Sequence, residues 1–384
     1  MLDTGQVGTA ANRHTARPHL GPVVMPNRHA FATLLLLLAL ACPGAWAAGD
    51  SLAAVFKRVG PSVVVVRTSG RPPVPRSGGQ AVRVAGIGSG VLVDAGGKVV
   101  TAAHVVQTAD AVGVEFPGNV LVNARVIASD AAADVALLQL DRVPAGIVPA
   151  RLGDSDHAEV GDPVFVVGAP LGISHTLTAG HLSARRRPNA TYGGIAPTEL
   201  FQTDAMINQG NSGGPMFNMD GEVIGIVSYI VSNSGGPQGL GFVVTSNMAR
   251  RLLLDEPSVW NGLEGYLLEG DLARALNVPP RQSGLLVQRV ARGSPADELG
   301  LQGGSLPVRI GDEILLVGGD IILAVDGIEL GDPGAYETIR RRLMQVQTSG
   351  GSLRATILRA GQSIELTGTV RRRAPPAARD AGLR

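Results

Sequence analysis

Cysteine is nearly absent: of 384 residues only Cys42 carries a thiol. A fold stapled by internal disulfides is thereby excluded, as is a cysteine-based metal centre. Aromatic residues make up only 3%, whereas glycine is abundant at 52 residues. Short strands joined by tight turns fit that mixture better than a helical bundle. The formal net charge is +1, so neither nucleic acid nor an anionic membrane surface is suggested. The N-terminal apolar run at 31–41 is interrupted by Pro43, and a membrane-spanning helix needs about 20 apolar residues. His-Glu-x-x-His and similar ligand spacings are missing, so no metal and no cofactor is expected. Of the seven histidines, none lies beyond His181.

What is present begins with a leader. Arg28 and His29 precede the apolar run, and Ala45-Trp46-Ala47 supplies a small-x-small cleavage site. That is the layout of a secretory signal peptide over 1–47, and it predicts a periplasmic or otherwise exported mature chain. Residues 1–24 are polar and long for a basic start, so either Met25 is the initiator or the leader is extended. Cleavage would also remove Cys42; lipid attachment there is disfavoured by its Ala39-Leu40-Ala41 lead-in.

From Leu52 the pattern changes to short β runs. Strands are predicted at 61–68, 112–116, 120–127, 135–140, 163–167, 176–180, 200–203, 216–217, 222–230 and 241–245, with a hairpin over 90–101 turning at 94–97. Residues 70–80 form a Pro/Gly/Ser-rich loop. Gly86, Gly88 and Gly90 mimic a phosphate-binding loop, but a strand follows where a helix would be needed. Small residues at a close strand contact explain them better. A first domain is thus expected over 50–254, an all-β sandwich or barrel pair closed by a short helix at 246–254 and a linker at 255–258. A mixed α/β domain follows over 259–371, and 372–384 reads as a disordered tail.

The stretch with chemical potential is Gly210-Asn211-Ser212-Gly213-Gly214. Flanking glycines let the backbone turn sharply and aim successive amides beside the serine hydroxyl. A nucleophile beside converging N–H donors is what acyl transfer requires; a Gly/Asn/Ser surface turn is the alternative. The run also matches the nucleophile elbow of α/β hydrolases, but that fold places its histidine after the serine. No histidine follows Ser212, which leaves the order His, Asp, Ser. His104, ending a predicted strand at 98–104, is the candidate base. His157 reads as a solvated turn residue, while His175 and His181 flank the 176–180 strand. Asp134 enters the apolar strand at 135–140, where a carboxylate is costly without a partner. It is the candidate orienter, with Asp130, in a more polar context, as the fallback.

Thr101-Ala102-Ala103-His104, Asp134-Val135-Ala136-Leu137-Leu138 and Asn208-Gln209-Gly210-Asn211-Ser212-Gly213-Gly214-Pro215 resemble the HtrA (Deg) family of trypsin-like serine proteases. So do Gly168-Ala169-Pro170-Leu171-Gly172 and the run at 235–242. Gly284-Leu285-Leu286-Val287, Gly293-Ser294-Pro295-Ala296 and Gly319-Asp320-Ile321-Ile322 resemble that family's PDZ domain. The likeness covers about 55–370. It implies a mainly β protein: a chymotrypsin-like double β-barrel protease domain followed by an α/β PDZ domain.

The resemblance implies His104 as general base, Asp134 as its orienter and Ser212 as nucleophile, with an oxyanion hole from the amides of Gly210, Asn211 and Ser212. Ile230 and Val231 align with a wall of the specificity pocket. No acid stands there, so cleavage after small or medium apolar residues is expected, and with it unfolded or damaged polypeptide substrates. Trp260, Asn261, Gly262 and Leu263 align with the PDZ carboxylate-binding loop, which takes C-terminal peptides. That loop lacks the common Tyr-Leu-Gly-Ile lettering, and 303–317 is longer than a minimal PDZ needs. A single PDZ and a short 70–83 loop imply a homotrimer rather than a large cage. Arg185, Arg186 and Arg187 fall where the family has its sensor loop, or else form a solvated turn. The functions implied are an exported ATP-independent serine endopeptidase for envelope quality control or a dedicated processing protease. The competing class is a holdase or PDZ scaffold with an idle site.

Overall fold

Strands whose two faces are both apolar need a layer on each side, and several strands here are of that kind. The computed structural model describes residues 50–70, 84–169, 175–186, 198–231, 239–280, 282–311 and 313–370. The leader with Met25 and Cys42, residues 71–80, Pro170, Leu171, Gly172, Arg187, residues 235–238 and the tail at 372–384 lie outside the described residues.

Helix α1 (Leu52–Val59) comes first, its N-terminus capped by Ser51, which accepts from the Ala54 amide at 3.3 Å. The sequence reading placed β structure from Leu52. The Ser cap and the i, i+4 pair Val55 and Val59 favour a helix instead, with those valines buried. Strands β1 (Val63–Gly70), β2 (Val84–Leu92) and β3 (Lys98–Thr101) lead to a one-turn helix α2 (Ala103–Val106). Strands β4 (Ala111–Phe116), β5 (Val120–Asp130) and β6 (Val135–Leu140) complete a closed barrel in the order β1-β2-β3-β6-β5-β4. A second sheet contains β7 (Arg151–Leu152), β8 (Pro163–Gly168), β9 (Thr176–Arg186), β10 (Leu200–Thr203), β11 (Pro215–Phe217), β12 (Glu222–Ile230) and β13 (Gly241–Thr245). Its order is β11-β8-β9-β10-β13-β12-β7, and a further β11–β12 pairing closes it as well. Helix α3 (Ser246–Arg250) runs on as a π-helical turn to Asp255.

Side chains alternate across a strand, and here both faces are used. In β6, Ala136 and Leu138 fill the first barrel while Val135 and Leu137 leave it. In β8, Val164 and Val166 fill the second barrel while Phe165 and Val167 leave it. The outward sets meet in one seam between the barrels, joined by Phe217, Ile226, Leu252 and the valines of α1.

The C-terminal unit is mixed α/β. It contains β14 (Leu263–Leu268), α4 (Gly270–Ala275), β15 (Gly284–Val290), α5 (Pro295–Glu298), the hairpin β16 (Leu306–Ile310) and β17 (Glu313–Val317), then β18 (Ile321–Val325) and β19 (Ile328–Glu329). Helix α6 (Ala335–Ser349), β20 (Gly351–Arg359) and β21 (Gln362–Val370) end it, with sheet order β14-β15-β18-β20-β21 and β19 beside β18. The hairpin β16–β17 accounts for the extra length at 303–317.

Two expectations change at the junction with the barrels. Residues 255–258 are no loose linker, because Ser258 is buried and its hydroxyl donates to Asp130 at 2.8 Å. Asp130 itself is 4% exposed, its polar surroundings being other buried groups and not solvent. Its carboxylate also accepts from the Tyr336 hydroxyl and the Ala133 amide, with Arg340 at 4.0 Å. Burial first, and then the Asp130 charge, hold the Tyr336 hydroxyl far above its ordinary pKa, so it remains a donor.

Phe217 is fully buried and stacks on Phe165 with ring centroids 5.2 Å apart. Phe217→Ala is expected to lower unfolding free energy by about 3–5 kcal/mol in urea titrations. Leu121→Ala, on an exposed barrel face, should change it by no more than about 0.5 kcal/mol.

Candidate active site

Three segments converge at the rim of the seam: α2, the turn entering β6, and the turn at 208–214. The first is shorter than the sequence suggested. Strand β3 ends at Thr101, and residues 103–106 coil into a single helical turn that carries His104 with half its side chain in solvent. Asp134 stands just ahead of β6 at φ 57°, in the left-handed region that aspartate visits more readily than most residues. That turn points its carboxylate at α2. Both carboxylate oxygens lie 2.9 Å from His104 Nδ1, and Oδ1 also accepts the His104 backbone amide at 3.0 Å. The Ser228 hydroxyl donates to Oδ2, so the carboxylate is held from two sides.

This environment tunes the imidazole. Partial removal from water pulls the His104 pKa down, but the Asp134 hydrogen bond and charge outweigh that effect. A smaller push comes from Glu264 of the C-terminal unit, and the result lies above the usual 6.5. A carboxylate on Nδ1 leaves Nε2 as the atom able to accept a proton.

The serine turn is clamped by its neighbours. Gly213 has φ 83°, and a Cβ there would sit 2.2 Å from Thr101 Oγ1 and 2.4 Å from the Ser89 carbonyl. Only glycine allows β2 and β3 to press so close. Ser89 donates through its amide to the Ser212 carbonyl at 2.8 Å and through its hydroxyl to the Gly210 carbonyl at 2.6 Å. With their carbonyls so held, the amides of Gly210 and Ser212 have no protein acceptor among the described residues. The Asn211 amide differs from the expectation: it donates to the Asn208 carbonyl at 3.0 Å and closes the turn. Ser212 Oγ donates to the Ser228 carbonyl at 3.3 Å.

Ser212, Gly210 and His104 line one cleft of about 860 Å³, whose other wall includes Arg289, Arg292 and Gly303 of the C-terminal unit. His157, His175 and His181 are not among its described lining residues. Ile230 ends β12 half-buried, and Val231 follows at 48% exposure with its amide on the Leu240 carbonyl at 3.0 Å. Sequence reasoning missed Ser89 and Ser228. Their signals were a serine within the Gly86–Gly90 run, read only as close packing, and a serine interrupting the apolar run of β12.

The two other flagged stretches are occupied. Trp260 Nε1 donates to the Gln107 carbonyl at 3.0 Å, Ala291 donates to the Gly262 carbonyl at 2.8 Å, and the Leu263 amide donates to Asn261 Oδ1 at 2.9 Å. Of this loop's backbone amides only that of Leu263 has an acceptor among the described residues; the other contacts are made by its side chains and carbonyls. Arg185 is no solvated turn residue: it pairs with Glu199 at 2.7 Å and Asp156 at 2.5 Å and lies over the Phe201 ring.

Comparison with known proteins agrees with this architecture. The trypsin-like peptidase domain family matches residues 88–226. The chain is 35% identical over 278 residues to a probable periplasmic serine endoprotease DegP-like of Ectopseudomonas mendocina (strain ymp), covering 70% of this chain and 57% of that protein. It is 32% identical over 343 residues to the periplasmic pH-dependent serine endoprotease DegQ of Escherichia coli (strain K12), covering 83% of this chain and 70% of that protein. The chain thus spans little more than half the length of the DegP-like relatives it matches. A solved HtrA-type protease, an AlgW variant with a decapeptide, superposes with a TM-score of 0.50 at 29% identity, covering 86% of this chain and 99% of that one.

Proton NMR of the imidazole should show His104 titrating above 6.5. Asp134→Asn removes the charge and the carboxylate acceptor, so the midpoint is expected to fall to or below the ordinary value.

Proposed function

The chain belongs to the DegP/DegQ-like, HtrA-type family of trypsin-like serine endoproteases, and we propose that it is an exported, ATP-independent endopeptidase acting on unfolded envelope proteins. The observation that carries this reading is the pairing of His104 Nδ1 with both oxygens of Asp134, 2.9 Å each, in a cleft shared with Ser212.

In this mechanism Ser212 Oγ attacks the scissile carbonyl carbon while His104 Nε2 takes its proton. Asp134 holds the imidazole in the right tautomer and stabilises the imidazolium. The Gly210 and Ser212 amides receive the oxyanion, each donor being worth roughly 10²–10³ in rate. His104 returns the proton to the leaving amine, and water then hydrolyses the acyl-serine by the same route. Ile230 and Val231, apolar and without an acid beside them, suit a small or medium apolar residue before the cut. Such side chains are mostly buried until a protein unfolds. The periplasmic location of the relatives supports the same compartment for this chain.

The C-terminal unit is read as a PDZ domain. Between β14 and α6 runs an apolar groove of about 220 Å³, lined by Leu263, Leu267, Leu285, Ile339 and Leu343. An extended C-terminal peptide would add there as a strand beside β14. A trimer is the assembly proposed. A second reading, a holdase with an idle site, is favoured by one detail: Ser212 Oγ is turned to the Ser228 carbonyl.

Purified mature protein is expected to degrade unfolded casein, and Ser212→Ala to lose on the order of 10⁶ in turnover. Peptides with Val or Ala before the cut should be cleaved faster than those with Arg or Lys. Equal cleavage by wild type and Ser212→Ala would remove the protease reading; protection of casein without cleavage would establish the holdase.

A further inference from the structure

We propose that the loop Trp260-Asn261-Gly262-Leu263 of the C-terminal unit is a positioning element for His104, acting through Gln107. The proposal rests on the reading of His104 as the catalytic base.

Helix α2 is a single turn, and an isolated turn of that length has no stability of its own in water. Whatever holds its two ends therefore decides where His104 points. Asp134 takes the His104 amide and ring on one side. Gln107, at the C-cap of the same helix, is held on the other side by residues from a different unit. Its Nε2 donates to Asn261 Oδ1 at 2.7 Å and to the Leu263 carbonyl at 3.0 Å, and its own carbonyl accepts the Trp260 indole at 3.0 Å. Its Oε1 accepts the hydroxyl of Ser129, near the end of β5 and five residues before Asp134, at 2.6 Å.

Gln107 is 4% exposed, and its Nε2 and carbonyl depend on this loop for their protein partners. Asn261 is equally committed, since its Oδ1 also accepts the Leu263 amide. These bonds use the loop's side chains and carbonyls, and the amides of Trp260, Asn261 and Gly262 have no acceptor among the described residues. They join the base-bearing helix to the C-terminal unit, so the imidazole's position depends on both.

Strand β14 carries the link further. Leu263, Gly265 and Leu267 line the apolar groove, while Glu264 between them pairs with Arg289 across the strand at 3.2 Å. Arg289 lines the cleft containing His104 and Ser212, and the Glu264 charge favours the protonated imidazole. The charged groups around His104 are thus Asp134 from the turn before β6 and Glu264 with Arg289 from β14 and β15. Arg292, Asp297 and Asp110 stand further along the same cleft.

The test uses the full chain and an internally quenched peptide with valine before the cut. Asn261→Leu and Gln107→Leu are each expected to lower kcat by about 10- to 100-fold, the scale of misplaced catalytic groups, with KM little changed. Together they should be no worse than either alone. Asn261→Asp keeps the oxygen acceptor and should recover most of the rate. Glu264→Gln should move the acid limb of the kcat/KM profile to lower pH, a readout that loss of packing alone would not shift. Unchanged or raised kcat in Asn261→Leu, with a wild-type melting curve, would overturn the proposal. If Asn261→Leu does not fold, unchanged kcat in a folded Gln107→Leu does the same. If the wild type cuts nothing, the protease reading fails separately. Positioning is then read in Ser212→Ala, where an unaltered His104 ring resonance and titration on introducing Asn261→Leu or Glu264→Gln would overturn it.

Discussion

The apolar seam between the two barrels is the constraint on which the rest of this protein depends. Strands such as β6 and β8 carry hydrophobic side chains on both faces, and one barrel can bury only one of them. The second set can leave water only against the other barrel. Phe165 against Phe217, with Val135 and Leu137 opposite, is the outcome. Because His104 and Asp134 belong to the first barrel and Ser212 to the second, their meeting follows from this packing.

At the rim of the seam, polar groups replace apolar ones, and their hydrogen bonds form a chain. Ser228 donates to Asp134 and accepts Ser212, while Ser89 holds the carbonyls of Gly210 and Ser212. Buried groups of this kind are costly unless each has a partner, so the network specifies one arrangement rather than adding much net stability. A parallel network joins the barrels to the C-terminal unit. Asp130, Ser258, Tyr336 and Arg340 satisfy one another where a linker was expected. Removing one member of such a buried charged set leaves the others uncompensated. The C-terminal unit is therefore fastened to the barrels by its polar groups, and through Gln107 to the helix that bears His104.

Much of this was legible in the residue order. Apolar runs bounded by turn residues located the barrel strands apart from β7, while β14, β16 and β17 went unread, and the absence of histidine after Ser212 selected the His, Asp, Ser order. Glycines flanking Ser212 announced a turn with special backbone angles, and Gly213 at φ 83° is such a position. The errors have physical causes. Helix α1 was hidden because eight residues with two core valines read much like the strand beside them. The one-turn α2 was read as the end of β3, since a four-residue helix has too little periodicity to show.

What the sequence determined by itself was the type of most elements and the chemistry available: short strands, a serine on a glycine turn, a histidine and a carboxylate in a fixed order. These are local properties, carried by spacing and backbone preference. Tertiary structure alone decided which polar groups are partnered. Asp130, four residues from Asp134 and chemically identical, became a buried junction residue because Ser258, Tyr336 and Arg340 arrive there from more than a hundred residues away. Asn211 closes a turn instead of facing the cleft, and Trp260 to Leu263 grip Gln107 instead of standing open. Apart from Asn211, whose partner Asn208 is three residues away, these partners are so distant in sequence that they leave no periodic trace, and only the folded chain could assign them.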